Sequence, residues 1–203
     1  MRPSSPTGGR SSRLRLAVPL ACLAVLTACG TSPQNARLES PSVTGHSTTP
    51  TASPTAPAEA APTSTSEVDV QRDGMDPAVV TGVRYATHDT YDRVVVDLKG
   101  DVPGYNVKWV DEFVEDGSGE AIGVHGGAYL QLTLFPANAH DDDGYPTWKG
   151  GPVYPANLKN LTDVVRTGDF EGRVGIGLVL AHKGGFQVRE QSGPSRLVLD
   201  VAH

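Results

Sequence analysis

Apolar and polar residues alternate with period two through most of the C-terminal half of the chain. Val94, Val96 and Leu98 alternate with Arg93, Val95 and Asp97, and Tyr105, Val107 and Trp109 alternate with Asn106 and Lys108. Leu130, Leu132 and Leu134 alternate with Tyr129, Gln131 and Thr133. Val174, Ile176, Leu178 and Leu180 share one face, and Leu197, Leu199 and Val201 share another. Val79–Tyr85 reads as a further strand. Side chains of a strand point alternately to its two faces, so each run offers one apolar face to a core. One-faced strands of this kind pair antiparallel. Gly, Pro and Asp separate the runs, as turns require. Lys183-Gly184-Gly185 and Ser192-Gly193-Pro194 divide the last three runs and predict a three-stranded C-terminal meander. No stretch carries a helical stripe. The pattern predicts an all-β domain over residues 77–203, with about eight short strands in one small antiparallel β-sandwich or barrel.

Upstream of Pro77 the pattern vanishes. From Gly30 to about Asp76 the chain is rich in Ser, Thr, Pro and Ala. Such a segment buries too little apolar surface to offset its chain entropy. Residues 29–76 are therefore expected to be a disordered tether, with a reach of about 40 Å. Before it, Arg2, Arg10, Arg13 and Arg15 precede an apolar run from Leu16 to Leu26, and Leu26-Thr27-Ala28-Cys29 follows. A basic region, a short apolar run and small residues make a secretory signal. The cysteine directly after Leu-Thr-Ala resembles a bacterial lipobox. That resemblance implies cleavage after residue 28, lipid on Cys29, and a protein held by acyl chains on the outer face of the cytoplasmic membrane.

Charge narrows the partners. The chain carries a formal net charge of −6. Residues 1–28 hold four arginines and no acid, so the remainder is near −10. That balance argues against nucleic acid, whose phosphates select basic surfaces. Membrane contact would rest on the lipid rather than on basic residues. Cys22 falls in the signal and Cys29 carries the lipid, so no thiol is left for a nucleophile, a disulfide or a cysteine metal site.

Two strands echo each other. Arg93-Val94-Val95-Val96-Asp97-Leu98 and Arg196-Leu197-Val198-Leu199-Asp200-Val201 both read Arg, apolar, Val, apolar, Asp, apolar. Arg93 and Asp97 share the polar face of one strand, and Arg196 and Asp200 that of the other. As antiparallel neighbours, each Arg would meet the other strand's Asp. Either a structural charged ladder on a wet face or a polar binding face would satisfy this pattern.

The run Tyr91-Asp92-Arg93-Val94-Val95-Val96-Asp97-Leu98, then Pro103-Gly104-Tyr105, and the closing Pro194-Ser195-Arg196-Leu197-Val198-Leu199-Asp200-Val201 resemble the AMIN-like domains of actinobacterial lipoproteins. The resemblance spans about Val79 to His203. It implies a small β-sandwich that binds peptidoglycan or another envelope component, without catalysis and without a cofactor. AMIN domains commonly precede an amidase or a secretin domain, whereas this sequence ends on its last expected strand.

The segment from Pro136 to Pro155 is the least expected part. A structureless loop of this length in a compact domain is often functional. It carries Tyr145, Trp148 and Tyr154 in a chain poor in aromatics, with Asn138 nearby. Aromatic faces stack on sugars or prolines, and Asn138 and the acids can bond hydroxyls, so this is the candidate ligand site. The other reading folds the same rings back as a lid over an open sheet end. His140-Asp141-Asp142-Asp143-Gly144 lacks the alternating spacing of a calcium loop and reads as a solvated acidic turn, so no metal is expected. There is no His-Glu-x-x-His motif. A carbohydrate-active hydrolase drawing carboxylates from Asp141–Asp143 or from Asp97 and Asp200 is the competing function, and a purely scaffolding lipoprotein is a third.

Overall fold

The computed structural model describes residues 59–203. Eleven strands and no helix make up this part of the chain. The first sheet has six strands in the order β1 (Val68–Val70), β4 (Gly104–Val110), β5 (Ala128–Phe135), β9 (Arg173–Leu180), β8 (Leu161–Phe170) and β7 (Val153–Pro155). The second has five, in the order β10 (Phe186–Gln191), β11 (Arg196–Ala202), β3 (Tyr91–Lys99), β2 (Ala78–Thr87) and β6 (Ala137–Asn138). The pair β2–β6 is parallel; the other pairs are antiparallel.

The alternating runs supply the core between the sheets. Val107, Leu130, Leu132, Leu134, Ile176 and Leu178 are buried on one side, and Val80, Val94, Val96, Leu197, Leu199 and Val201 on the other. A second, smaller cluster lies on the outer face of the six-stranded sheet. There Phe113 packs with Val165 and Val179. Its ring fits because Gly177 has no side chain; a Cβ there would stand 2.6 Å from the Phe113 ring. The segment between β4 and β5 thus covers part of that face.

Three expectations are corrected. First, the C-terminal meander is only a hairpin. β10 and β11 pair, but β9 belongs to the opposite sheet. Lys183-Gly184-Gly185 is a corner between sheets. The Phe186 amide donates to the Ser64 carbonyl at 2.7 Å, and a Cβ on Gly185 would lie 2.3 Å from the Pro62 carbonyl oxygen. The glycines make room for the incoming N-terminal segment rather than for a tight hairpin.

Second, that segment is structured well before Pro77. Val68–Val70 pairs with β4. Pro62 is buried, and the Trp109 indole donates to the Thr65 carbonyl at 3.0 Å. Pattern reading missed β1 because three residues are too few to show alternation. Residues 29–58, including Cys29, lie outside the described part.

Third, the stretch from Pro136 to Pro155 is not structureless. It holds β6 and β7, and Ala137, Ala139 and Trp148 are buried. β8, just after it, had no clear alternation in sequence. Its register shifts between Leu161 and Asp163 and again between Arg166 and Gly168. An extra residue in a strand changes which face the following residues occupy, and two of them scramble the period.

Candidate functional site

The outer face of the five-stranded sheet carries the echoed strands. β11 and β3 are antiparallel neighbours, with Arg196 opposite Asp97 and Asp200 opposite Arg93. Both cross-strand pairs form. Arg93 Nε donates to Asp200 Oδ1 at 2.6 Å, and Arg196 Nε donates to Asp97 Oδ1 at 3.1 Å. The face is more than a two-strand ladder, because the flanking strands each add an arginine. Arg189 on β10 donates to Asp200 Oδ2 at 2.6 Å. Arg84 on β2 donates through Nε to Asp97 Oδ2 at 2.6 Å and through Nη2 to Oδ1 at 2.9 Å. Val198 and Val95 stand opposite each other between the two groups, with Arg189 beside Val198 and Arg84 beside Val95. The result is two Arg–Asp–Arg triads related by a pseudo-twofold. Each carries one positive charge in excess, in a protein whose net charge is negative.

The triads are not equally wet. Asp200 is fully buried and Gln187 also donates to its Oδ2, at 3.0 Å. The expected exposed ladder holds at Asp97, whose side chain is 28 % accessible, but not at Asp200, at 1 %. The Arg93 guanidinium is held protonated chiefly by its hydrogen bonds to Asp200. Asp97 is pulled below the ordinary carboxylate range, first by its bonds to Arg84 and then by Arg196. A depressed value means stability that is present above the unfolded pKa and lost as pH falls through the folded one. Asp97 should therefore support the fold through about pH 4 and cease to do so only on further acidification. Arg84→Ala should move the Asp97 titration midpoint, followed by carboxyl NMR, back up toward the ordinary value. An unmoved midpoint would mean that Arg84 is not the cause. The stability change should stay under about 1 kcal/mol, since Arg84 is largely exposed.

Arg84, Arg189 and Tyr91 were not singled out from sequence. Arg84 follows the register shift between Val80 and Gly82, which hides its face. Arg189 was visible as a polar position of a short strand and nothing more. A further member, Glu59, carried no signal at all. Its carboxylate accepts from the Tyr91 hydroxyl and, at 3.2 Å, from Arg93 Nη2.

The aromatic residues of the Pro136–Pro155 segment are not brought together as an open platform. Trp148 is 4 % exposed and lies in the core cluster. Its ring stacks on Tyr154, with centroids 4.7 Å apart, and the Arg166 guanidinium lies over it. Arg166 also donates to the Trp148 carbonyl at 3.0 Å. Tyr154 is partly buried against the core, and burial raises its hydroxyl pKa. Tyr145 is exposed. Asn138 sits in β6, paired with Val79. This is the lid arrangement, with Trp148 as its packed centre. His140 meets Asp169 on β8 at 2.6 Å, which ties the segment down. Asp141 accepts from the amides of Asp143 and Tyr145, so it closes its own turn.

A groove of about 510 Å³ lies on the outer face of the six-stranded sheet, lined among others by Asp69, Arg72, Asn106, Lys108, Phe135 and Arg173. It is open and mixed in charge.

The sequence from residue 78 to residue 203 matches the AMIN-like domain family. The chain belongs to the AMIN-like family. The match covers more than half of the chain and includes both triads. No curated protein and no solved structure matches. AMIN-like domains are in general typically non-catalytic modules of bacterial envelope proteins, which suggests an extracytoplasmic setting. Glu59 and β1 fall outside the matched AMIN-like span.

Proposed function

We propose that this protein is a lipid-anchored, non-catalytic AMIN-like module that holds peptidoglycan against the outer face of its five-stranded sheet. The observation that carries the reading is the pair of triads on one face. Arg84, Arg93, Arg189 and Arg196 meet three carboxylates, Asp97, Asp200 and Glu59, which leaves one positive charge in excess at the Arg84–Asp97–Arg196 triad. Peptidoglycan peptides present carboxylates, and guanidinium groups bind carboxylates with directional, charge-assisted bonds. The net negative charge repels anions in general, so capture of a carboxylate depends on this local excess of arginine.

The hydrolase alternative draws less support. A glycosidase needs one carboxyl held protonated near neutrality and a second one facing it. Asp97 is shifted the opposite way, and both oxygens of Asp200 already accept from arginine. Asp141 is engaged in its own turn.

Arg84→Ala should weaken binding to purified peptidoglycan at least about tenfold, because charge-assisted contacts contribute about 1.5–3 kcal/mol each. Equal binding of the variant and the parent would remove the ligand from this face. Lipid anchoring at Cys29 has its own test. Cys29→Ala should give an unprocessed or mislocalised protein in cell fractionation. Normal processing and full membrane retention of the variant would end that part of the reading.

A further inference from the structure

One triad is already occupied by a carboxylate of the same chain. Arg93 and Arg189 both bond to the single buried Asp200, which leaves one positive charge unmatched. Glu59 meets that charge. Its Oε2 lies 3.2 Å from Arg93 Nη2, and its Oε1 lies 3.6 Å from Arg189 Nη1. The Tyr91 hydroxyl supplies the third contact, and its direction is fixed. Arg93 Nη2 donates to the Tyr91 oxygen at 2.8 Å, so the phenolic proton is left to point at Glu59. The Thr90 hydroxyl donates to the Glu59 carbonyl at 2.7 Å. Two of the three binding groups are packed, Tyr91 at 1 % exposure and the Arg93 side chain at 22 %, and the Arg189 side chain is 40 % exposed. The occupant is not packed: the Glu59 side chain is 57 % exposed and lies outside any strand. A preformed receptor with a loosely held occupant is the arrangement expected of a site whose ligand is exchanged.

The second triad lacks these extras. In the sequence echo Arg93 corresponds to Arg196, so Tyr91 corresponds to Pro194, which has no hydroxyl. Among the described residues no third carboxylate meets Arg84 and Arg196. The hydroxyl donors and the bound acid thus single out one half of an otherwise symmetric face.

We propose that Tyr91, Arg93 and Arg189 form a receptor for one terminal carboxylate of a wall peptide, and that Glu59 fills it in cis until such a carboxylate displaces it. This rests on the peptidoglycan reading above for the source of the ligand, but not for its chemistry. A carboxylate satisfies all three contacts, because each contact donates; a carboxamide offers one acceptor and turns N–H groups toward guanidinium. Displacement releases only the Glu59 side chain, because the Thr90 bond to the Glu59 carbonyl, buried Pro62 and the β1–β4 pairing still hold the segment that follows.

The test uses the chain from Gly30 to His203, which contains every described residue, and two probes: N-acetyl-alanyl-alanine and its C-terminal amide. Amide and side-chain NMR shifts at Tyr91, Arg93 and Arg189 report binding. The acid should bind and the amide should not. Glu59→Ala should tighten the acid about fivefold, since a site filled in cis loses apparent affinity in proportion to its free fraction. Glu59→Gln should behave like Glu59→Ala, because it loses the charge while keeping the shape. Equal affinity of parent and Glu59→Ala for the acid, equal binding of acid and amide, or no binding of the acid to Glu59→Ala would each overturn the proposal. Sedimentation with purified peptidoglycan separates the two readings. If the polymer is bound but the acid neither binds nor competes, the receptor is wrong and the peptidoglycan reading stands. If the acid binds Glu59→Ala while the polymer is ignored, the receptor stands and its ligand comes from elsewhere.

Discussion

Trp148→Ala will lower the stability of the domain by about 3–5 kcal/mol, the range for truncating a buried large aromatic side chain. At about 2–4 °C per kcal/mol for a domain of this size, the melting temperature should fall by roughly 12 °C. The loss has three sources. The indole is 4 % exposed within the core cluster, it stacks on Tyr154 at 4.7 Å, and it lies under Arg166. Tyr154 would lose its stacking partner, and β7 would loosen with it. Peptidoglycan binding per folded molecule should not change, because Trp148 is not on the triad face. Tyr145→Ala provides the contrast. That ring is exposed, so its removal should shift stability by less than about 0.5 kcal/mol. A stable Trp148→Ala protein with weakened binding would reverse the assignment and return the aromatic segment to the ligand.

A chain beginning at Pro77 will be less stable than one beginning at Gly30, by about 2–3 kcal/mol. The estimate takes buried Pro62 and half-buried Val68 and Val70 at about 1.5–3 kcal/mol per fully buried side chain, reduced by the entropy of ordering the segment. The shorter chain also loses the β1–β4 pairing and the bonds from Phe186 and Trp109 to the backbone at Ser64 and Thr65. It exposes the edge of β4, which invites association between molecules. Thermal unfolding of the two chains measures the difference. Coincident midpoints would mean that residues 59–76 add nothing to the fold, as composition alone suggests.

The contrast between these two regions shows what the sequence made legible. Val94, Val96 and Leu98 on β3, or Leu130, Leu132 and Leu134 on β5, advertise their strand because every second residue is apolar and buried. The Arg93–Asp200 and Arg196–Asp97 pairs followed from the same alternation, once the two strands were placed side by side. Where the period breaks, reading fails. β8 hides behind two register shifts, and Arg84 lies beyond a third in β2. β1 and the Pro62–Thr65 segment are too short to show alternation, and they are held by three apolar side chains and by bonds to the backbone at Ser64 and Thr65, which leave no trace in side-chain pattern. Trp148 was visible as a rare aromatic. Whether it faced ligand or core depended on β7 and Arg166, whose positions only the fold supplies.

The central claim is that this AMIN-like protein binds peptidoglycan and leaves it intact. Incubating the Gly30–His203 chain with purified sacculi and then assaying both pellet and supernatant tests both halves at once. The account predicts saturable recovery of the protein in the pellet, weakened by Arg84→Ala, and no release of soluble sugar or peptide fragments. Protein that stays in the supernatant at all concentrations, or sacculi that dissolve into fragments, would contradict it.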